Sequence, residues 1–168
     1  MKEKKYSEAA GEFEQSVKIA PNYIPFLNGL GLAYLESRRS EEAVAVYKRS
    51  CHLTEATYGT KSLRLDGCYG LLGRALEDSG NVEDAVVQYQ NAYAILLAQQ
   101  PQFIDNRTME LSIWGRALAK LGREREILPL FEALLADTPP NSRWRPYVEE
   151  DVRRLKLRVG TDANDAHS

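Results

Sequence analysis

The chain has 168 residues, 43% hydrophobic and 27% charged, and its 22 Lys and Arg against 24 Asp and Glu give a net charge of −2. A globular, mostly helical chain fits that balance, while a nucleic-acid partner, which needs a basic face, does not. No apolar run approaches the ~18 residues of a membrane span. The opening Met1-Lys-Glu-Lys-Lys5 also lacks the apolar stretch of a secretory leader, so a cytoplasmic location is expected, with an organelle lumen after processing as the alternative.

Apolar spacing predicts eight helices in chain order. The first, about residues 4 to 20, carries the apolar stripe Ala10, Phe13 and Val17. Three pairs follow, at about 24–37 with 40–56, 62–79 with 82–99, and 105–121 with 124–137. Gly59 and Pro101 stand where helices should stop, and Pro129 sits early in the seventh helix, where an interior proline would cost about 3 kcal/mol. After Pro139-Pro140-Asn141-Ser142 an eighth helix is expected over about 143–158, with Ser142 as N-cap and Val148, Val152, Leu155 and Val159 on one face. Residues 159–168 read as a disordered tail.

The pairs are copies of one another. Gly31, Gly73 and Gly115 recur 42 residues apart, and the same shift carries Leu30 to Leu72 and Trp114, Arg38 to Gly80 and Gly122, Ala43 to Ala85 and Ile127, and Tyr47 to Tyr89 and Phe131. An earlier copy of the second half ends at Pro21, with a shorter step of 34 residues from Phe13 to Tyr47. Such a repeat predicts stacked helix pairs, because no single pair buries its own apolar face. The expected organisation is one array over residues 1–158: a half repeat at 4–21, repeats at about 24–61, 62–104 and 105–139, and a capping helix at 143–158. Gly31, Gly73 and Gly115 should be close helix contacts. Ala43 and Ala85 supply the facing small residues, and Tyr47 and Tyr89 fill the space beside them.

Chemical motifs are weak by comparison. Gly29-Leu-Gly31 lacks the third glycine of a dinucleotide loop, and Gly67, Gly70 and Gly73 fall on a helix rather than between strand and helix. His52 and His167 are the two histidines, so neither a two-histidine metal site nor a histidine triad is expected; no catalytic residue, metal or cofactor is assigned. Cys51 and Cys68 read as small half-buried residues of helices, with a disulfide between neighbouring repeats as the alternative.

Leu27, Leu30, Gly31, Tyr34, Ala43, Tyr47 and Ser50 in one copy, and Tyr69, Leu72, Gly73, Leu76, Gly80, Ala85, Tyr89 and Ala92 in the next, resemble the tetratricopeptide repeat. The 42-residue unit, with His52 to Gly59 before the next helix, resembles the kinesin light chain subclass. The resemblance implies an all-α fold, a right-handed α-solenoid whose first helices line a concave groove. Asn28, Gly29, Leu32, Leu71, Arg74, Met109, Ser112, Ile113 and Arg116 would then face that groove. Arg74 and Arg116 are equivalent and would place two guanidinium groups along one wall. They could bind a carboxylate or phosphate bidentately, as on an acidic segment, or pair with Glu77, Asp78 or another neighbouring acid and serve as solvated surface. The function so implied is a non-catalytic scaffold that binds a protein or peptide segment. The alternatives are an accessory domain of a larger protein and an RNA-binding helical repeat. Because the first helix has no partner before it, its stripe is expected to drive self-association or to fray.

Overall fold

The computed structural model describes residues 2–99 and 102–165, which form helices and no strands. In order these are α1 (Lys2–Ile19), α2 (Ile24–Glu36), α3 (Ser40–Tyr58), α4 (Arg64–Asp78), α5 (Val82–Gln99), α6 (Ile104–Lys120), α7 (Leu128–Asp137) and α8 (Arg145–Asp165). The chain divides into two compact units, residues 1–95 and 96–168, with the boundary inside α5.

The turns between paired helices repeat with the sequence. Arg38, Gly80 and Gly122, 42 residues apart, adopt φ of 62°, 85° and 67°. At each, the next amide reaches back to close the preceding helix: Arg39 N to Tyr34 O, Asn81 N to Leu76 O and Arg123 N to Leu118 O, at 2.8 to 2.9 Å. This is the left-handed helix stop that glycine adopts without strain. Arg38 holds the same conformation with a side chain.

In the first unit α1 packs on α2, α2 on α3 and α3 on α4. A Cβ built on Gly31 would lie 2.7 Å from the Tyr47 ring, and one on Gly73 would lie 2.6 Å from the Tyr89 ring, so in both copies an aromatic of the second helix lies on bare backbone of the first. Ala43, Tyr47 and Ala85 are fully buried, and Tyr89 nearly so. The two tyrosines differ at their tips. Tyr89 Oη donates to Glu77 at 2.8 Å, whereas the buried Tyr47 hydroxyl has no protein acceptor among the described residues.

Several features depart from the sequence reading. The α1 stripe lies against α2, with Ala10 fully buried and the Phe13 ring covering Gly29, so Gly29, expected on the groove, is a packing residue. Tyr34 Oη to Glu14 (2.8 Å) and Arg38 to Glu3 (2.8 Å) reinforce the docking. Cys51 and Cys68, expected first as free residues, form a disulfide from α3 to α4 with their Cα atoms 5.6 Å apart, within the ordinary span of such a bond. The tail expected to be disordered from residue 159 is helical to Asp165; residues 166–168 lie outside the described range.

In the second unit α6 packs on α7, and α7 on α8. Pro129 is accommodated because the segment breaks before it. Glu124–Glu126 form a 3-10 turn and α7 starts at Leu128, which puts the proline in the first turn, where no amide donor is missed. α8 starts at Arg145, two residues later than expected, and Ser142 Oγ accepts from the Trp144 amide at 3.2 Å. Ile127, at the place of Ala43 and Ala85, is fully buried and changes the glycine contact: a Cβ on Gly115 would meet Ile127 Cγ1 at 3.5 Å, an ordinary distance. Gly115 is therefore not a close contact of the Gly31 and Gly73 kind.

Candidate functional site

The face of interest is the side of each first helix that the packing leaves over. On α2, Leu27, Leu30, Gly31, Ala33, Tyr34 and Leu35 are buried, and Leu32 points away from them, 43% exposed. Asn28 is half-buried and tied to its own repeat: Ser50 Oγ, from α3, donates to Asn28 Oδ1 at 2.6 Å. On α4, Leu71 is half-buried and Arg74 is exposed. Arg74 Nη2 donates to Glu36 at 2.8 Å, and its Nε lies 3.9 Å from Asp78. The Arg74–Glu36 pair links the wall of α2 to that of α4. It also leaves Arg74 with two carboxylates, so its charge is already answered within the unit.

On α6 of the second unit, Met109 is 57% exposed, Ser112 and Ile113 are half-buried and Arg116 is exposed. Ser112 Oγ donates to Thr108 O at 2.8 Å, which commits its proton to the helix backbone. Arg116 makes no ion pair among the described residues. It stands at the mouth of a cleft of about 300 Å³ between α6, α7 and α8, whose floor includes Gly115, Ala119, Phe131 and Leu155. Arg154 and Arg158 of α8 share the rim with it, together with Glu124 and Asp151. Arg154 Nε donates to Glu150 at 2.6 Å and Arg158 Nη1 to Glu124 at 3.0 Å. Hydrogen bonds from Arg153 and Arg154 hold the Glu150 carboxyl below its usual range, whereas burial pushes Asp151 up.

The structure thus separates two groups of the expected wall residues. Asn28, Leu32, Leu71 and Arg74 belong to the first unit, and Met109, Ser112, Ile113 and Arg116 to the second. The sequence reading missed Arg154 and Arg158, because their meeting with Arg116 depends on how α8 lies against α6 and α7. It also missed Arg107, which is 2% exposed and donates from Nη2 to Asp137 at 2.8 Å, bracing α6 to the end of α7. Among the described residues no group of three or more His, Cys, Asp or Glu side chains could hold a metal, and no helix is long and apolar enough to cross a membrane.

Residues 24–57, which are α2 and most of α3, match the family model of the tetratricopeptide repeat. The chain has the tetratricopeptide-repeat fold. It is similar to the putative kinesin light chain protein of Podosopora anserina with nearly identical TPR-like repeats, at TM-score 0.77 and 19% identity over 96% of this chain and 82% of that one. A second structure of that protein, carrying one substitution, gives TM-score 0.76 and 20% identity over the same shares, and MamA gives 0.60 and 17% over 95% of this chain and 91% of MamA. No curated protein matches the chain. Identities this low support the all-α, helix-turn-helix solenoid class and leave the ligand open. Repeats of this kind generally serve as protein-interaction scaffolds.

Proposed function

We propose that the chain is a non-catalytic interaction module that binds a peptide or protein segment along its first helices, and that it works in the cytoplasm. The observation that carries this reading is the mixture of exposed side chains on the first helices of each unit: apolar Leu32 and cationic Arg74 in the first, apolar Met109 and cationic Arg116 in the second. Apolar contacts would supply affinity and the guanidinium groups orientation, favouring an acidic segment. Arg74 would contribute less than Arg116, because a ligand carboxylate there competes with Glu36 and Asp78. The Cys51–Cys68 bond is buried, which limits attack by soluble thiols.

The test is a scan of the intact 168-residue chain against an array of peptides of varied charge, followed by calorimetry on the best binder. Replacing Arg74 and Arg116 together by Ala should weaken binding more than tenfold, a loss above about 1.4 kcal/mol, with helicity unchanged. Unaltered affinity in the double variant would return both arginines to the solvated surface and remove the acidic-partner reading.

A further inference from the structure

The two ends of the first unit differ both in charge and in exposed apolar surface. We infer that the end formed by residues 18–26 and 58–64 is a docking surface for the headgroup layer of an anionic bilayer, on which the chain rests without crossing it. The inference is independent of the peptide-binding face.

Both segments leave from the same end of the unit. Ser50 of α3 meets Asn28 of α2 at 2.6 Å, and from that contact α3 runs on to Tyr58 while α2 runs back to Ile24. The Cys51–Cys68 bond sets α4 beside α3 in the same way, with Cα atoms 5.6 Å apart, and α4 starts at Arg64. Arg49 Nη2 donates to Pro21 O at 2.6 Å and so ties α3 to the turn that follows α1. The large apolar side chains left exposed in this unit are Ile19, Tyr23, Leu32, Tyr58, Leu63 and Val87, and all but Leu32 and Val87 stand at this end. Ile19 is the most exposed of them, at 85%, and it is the last residue of α1.

Charge follows the same division. Lys18, Arg49, Lys61 and Arg64 make no ion pair among the described residues, and the Arg64 guanidinium lies 4.6 Å from the centre of the Tyr58 ring, which leaves its charge uncancelled. The acids of this end are Glu55 and Asp66, both half-buried, so four cations stand against two carboxylates, and burial pushes the Asp66 carboxyl up. At the opposite end Arg38, Arg39 and Arg74 are each held by carboxylates, and Glu41, Glu83 and Asp84 add exposed negative charge.

This combination selects the partner. A two-fold contact with a second copy would bring like charges together, and the acidic end of a second copy would meet Ile19 and Tyr23 with carboxylates. An anionic bilayer answers both features at once. Its headgroups attract the lysines and arginines, and its interface accepts an aliphatic side chain and the amphipathic rings of tyrosine.

The experiment sediments the full chain with sucrose-loaded vesicles of phosphatidylcholine alone and with about a third phosphatidylserine. Binding to the mixed vesicles should be at least about tenfold tighter and should fall as salt is raised. Lys18→Glu with Lys61→Glu should weaken it at least about tenfold, since each cation near the surface counts separately, whereas Lys18→Arg with Lys61→Arg should bind like the parent. Ile19→Ser with Leu63→Ser should also weaken it, and Tyr23→Trp should be quenched by brominated acyl chains. Lys4→Glu with Lys5→Glu, at the other end of α1, should change nothing, and helicity should be the same in all variants. Equal binding to both vesicles, an equal loss in the Lys4 and Lys5 variant, or indifference to Ile19→Ser with Leu63→Ser would each overturn the inference. Polyglutamate held at this end as tightly as the mixed vesicles would overturn it in favour of an acidic polypeptide. Arg74→Ala with Arg116→Ala should leave vesicle binding intact. Vesicle binding without any peptide partner would support the surface while the module reading fails, and a bound peptide without vesicle binding would overturn the surface and leave the module standing.

Discussion

Alanine at Gly73 and alanine at Gly115 should move stability in opposite directions, although the two glycines are equivalent in sequence. Both lie inside helices, where replacing Gly by Ala gains up to about 1 kcal/mol through lost chain entropy in the unfolded state. At Gly73 the new methyl would lie 2.6, 2.8 and 3.0 Å from three atoms of the Tyr89 ring, well inside the ~3.5 Å of a relaxed carbon contact. The ring has nowhere to go. Tyr89 is 2% exposed, and its hydroxyl is held by Glu77 at 2.8 Å. Overpacking of this kind costs about 1 to 3 kcal/mol, which equals or exceeds the propensity gain. At Gly115 the methyl would meet Ile127 at 3.5 and 3.6 Å, so the gain stands alone. The difference between the two variants isolates the packing term, because the propensity term cancels. It should be about 1 to 3 kcal/mol by urea denaturation, with Gly73→Leu lower still. Equal midpoints for Gly73→Ala and Gly115→Ala would refute the close contact at Gly73.

Three further outcomes follow from the same packing. Burial pushes the Tyr47 hydroxyl up to about 12; a folded-state pKa above the unfolded value of about 10 means stability that is full below about pH 10 and lost as pH rises toward about 12, by roughly 3 kcal/mol, and Tyr47→Phe should abolish that share of the alkaline loss while costing little near pH 7. Unfolding midpoints at about pH 9 and about pH 11, on either side of the unfolded-state value, that fall equally in the parent and in Tyr47→Phe would contradict it. Cys51→Ser with Cys68→Ser, or a reductant added to the unfolded chain, should lower stability by about 3 kcal/mol, since the bond closes a loop across a separation of 17 residues; denaturation curves that superimpose would show the link to be energetically idle. Arg38→Gly should stabilise by about 1 kcal/mol despite losing the exposed pair with Glu3, because φ of 62° strains a residue with a Cβ; a lower midpoint by calorimetry would mean that pair outweighs the strain.

The amino-acid sequence by itself determined the helices, their pairing and their stops, because these depend on local properties with a fixed period. The period of 42 at Arg38, Gly80 and Gly122 marks three helix ends, and the structure gives all three a left-handed backbone. The break after Pro139 was legible for the same reason, since proline removes a donor and fixes its own φ, whereas the start of α7 at Leu128, which puts Pro129 in the first turn, was not. Tertiary structure decided what one residue does to another far along the chain. Equal spacing made Gly31, Gly73 and Gly115 equivalent, yet only the first two lie under an aromatic ring, and the third is left open by Ile127. The same spacing made Arg74 and Arg116 equivalent, yet Glu36 and Asp78 neutralise one while the other opens onto a cleft shared with Arg154 and Arg158. Two cysteines 17 residues apart carry no signal for pairing until α3 and α4 bring their Cα atoms to 5.6 Å. Periodicity reports which face of a helix is buried, whereas the partner that meets that face is set by distances between elements, which no local pattern encodes.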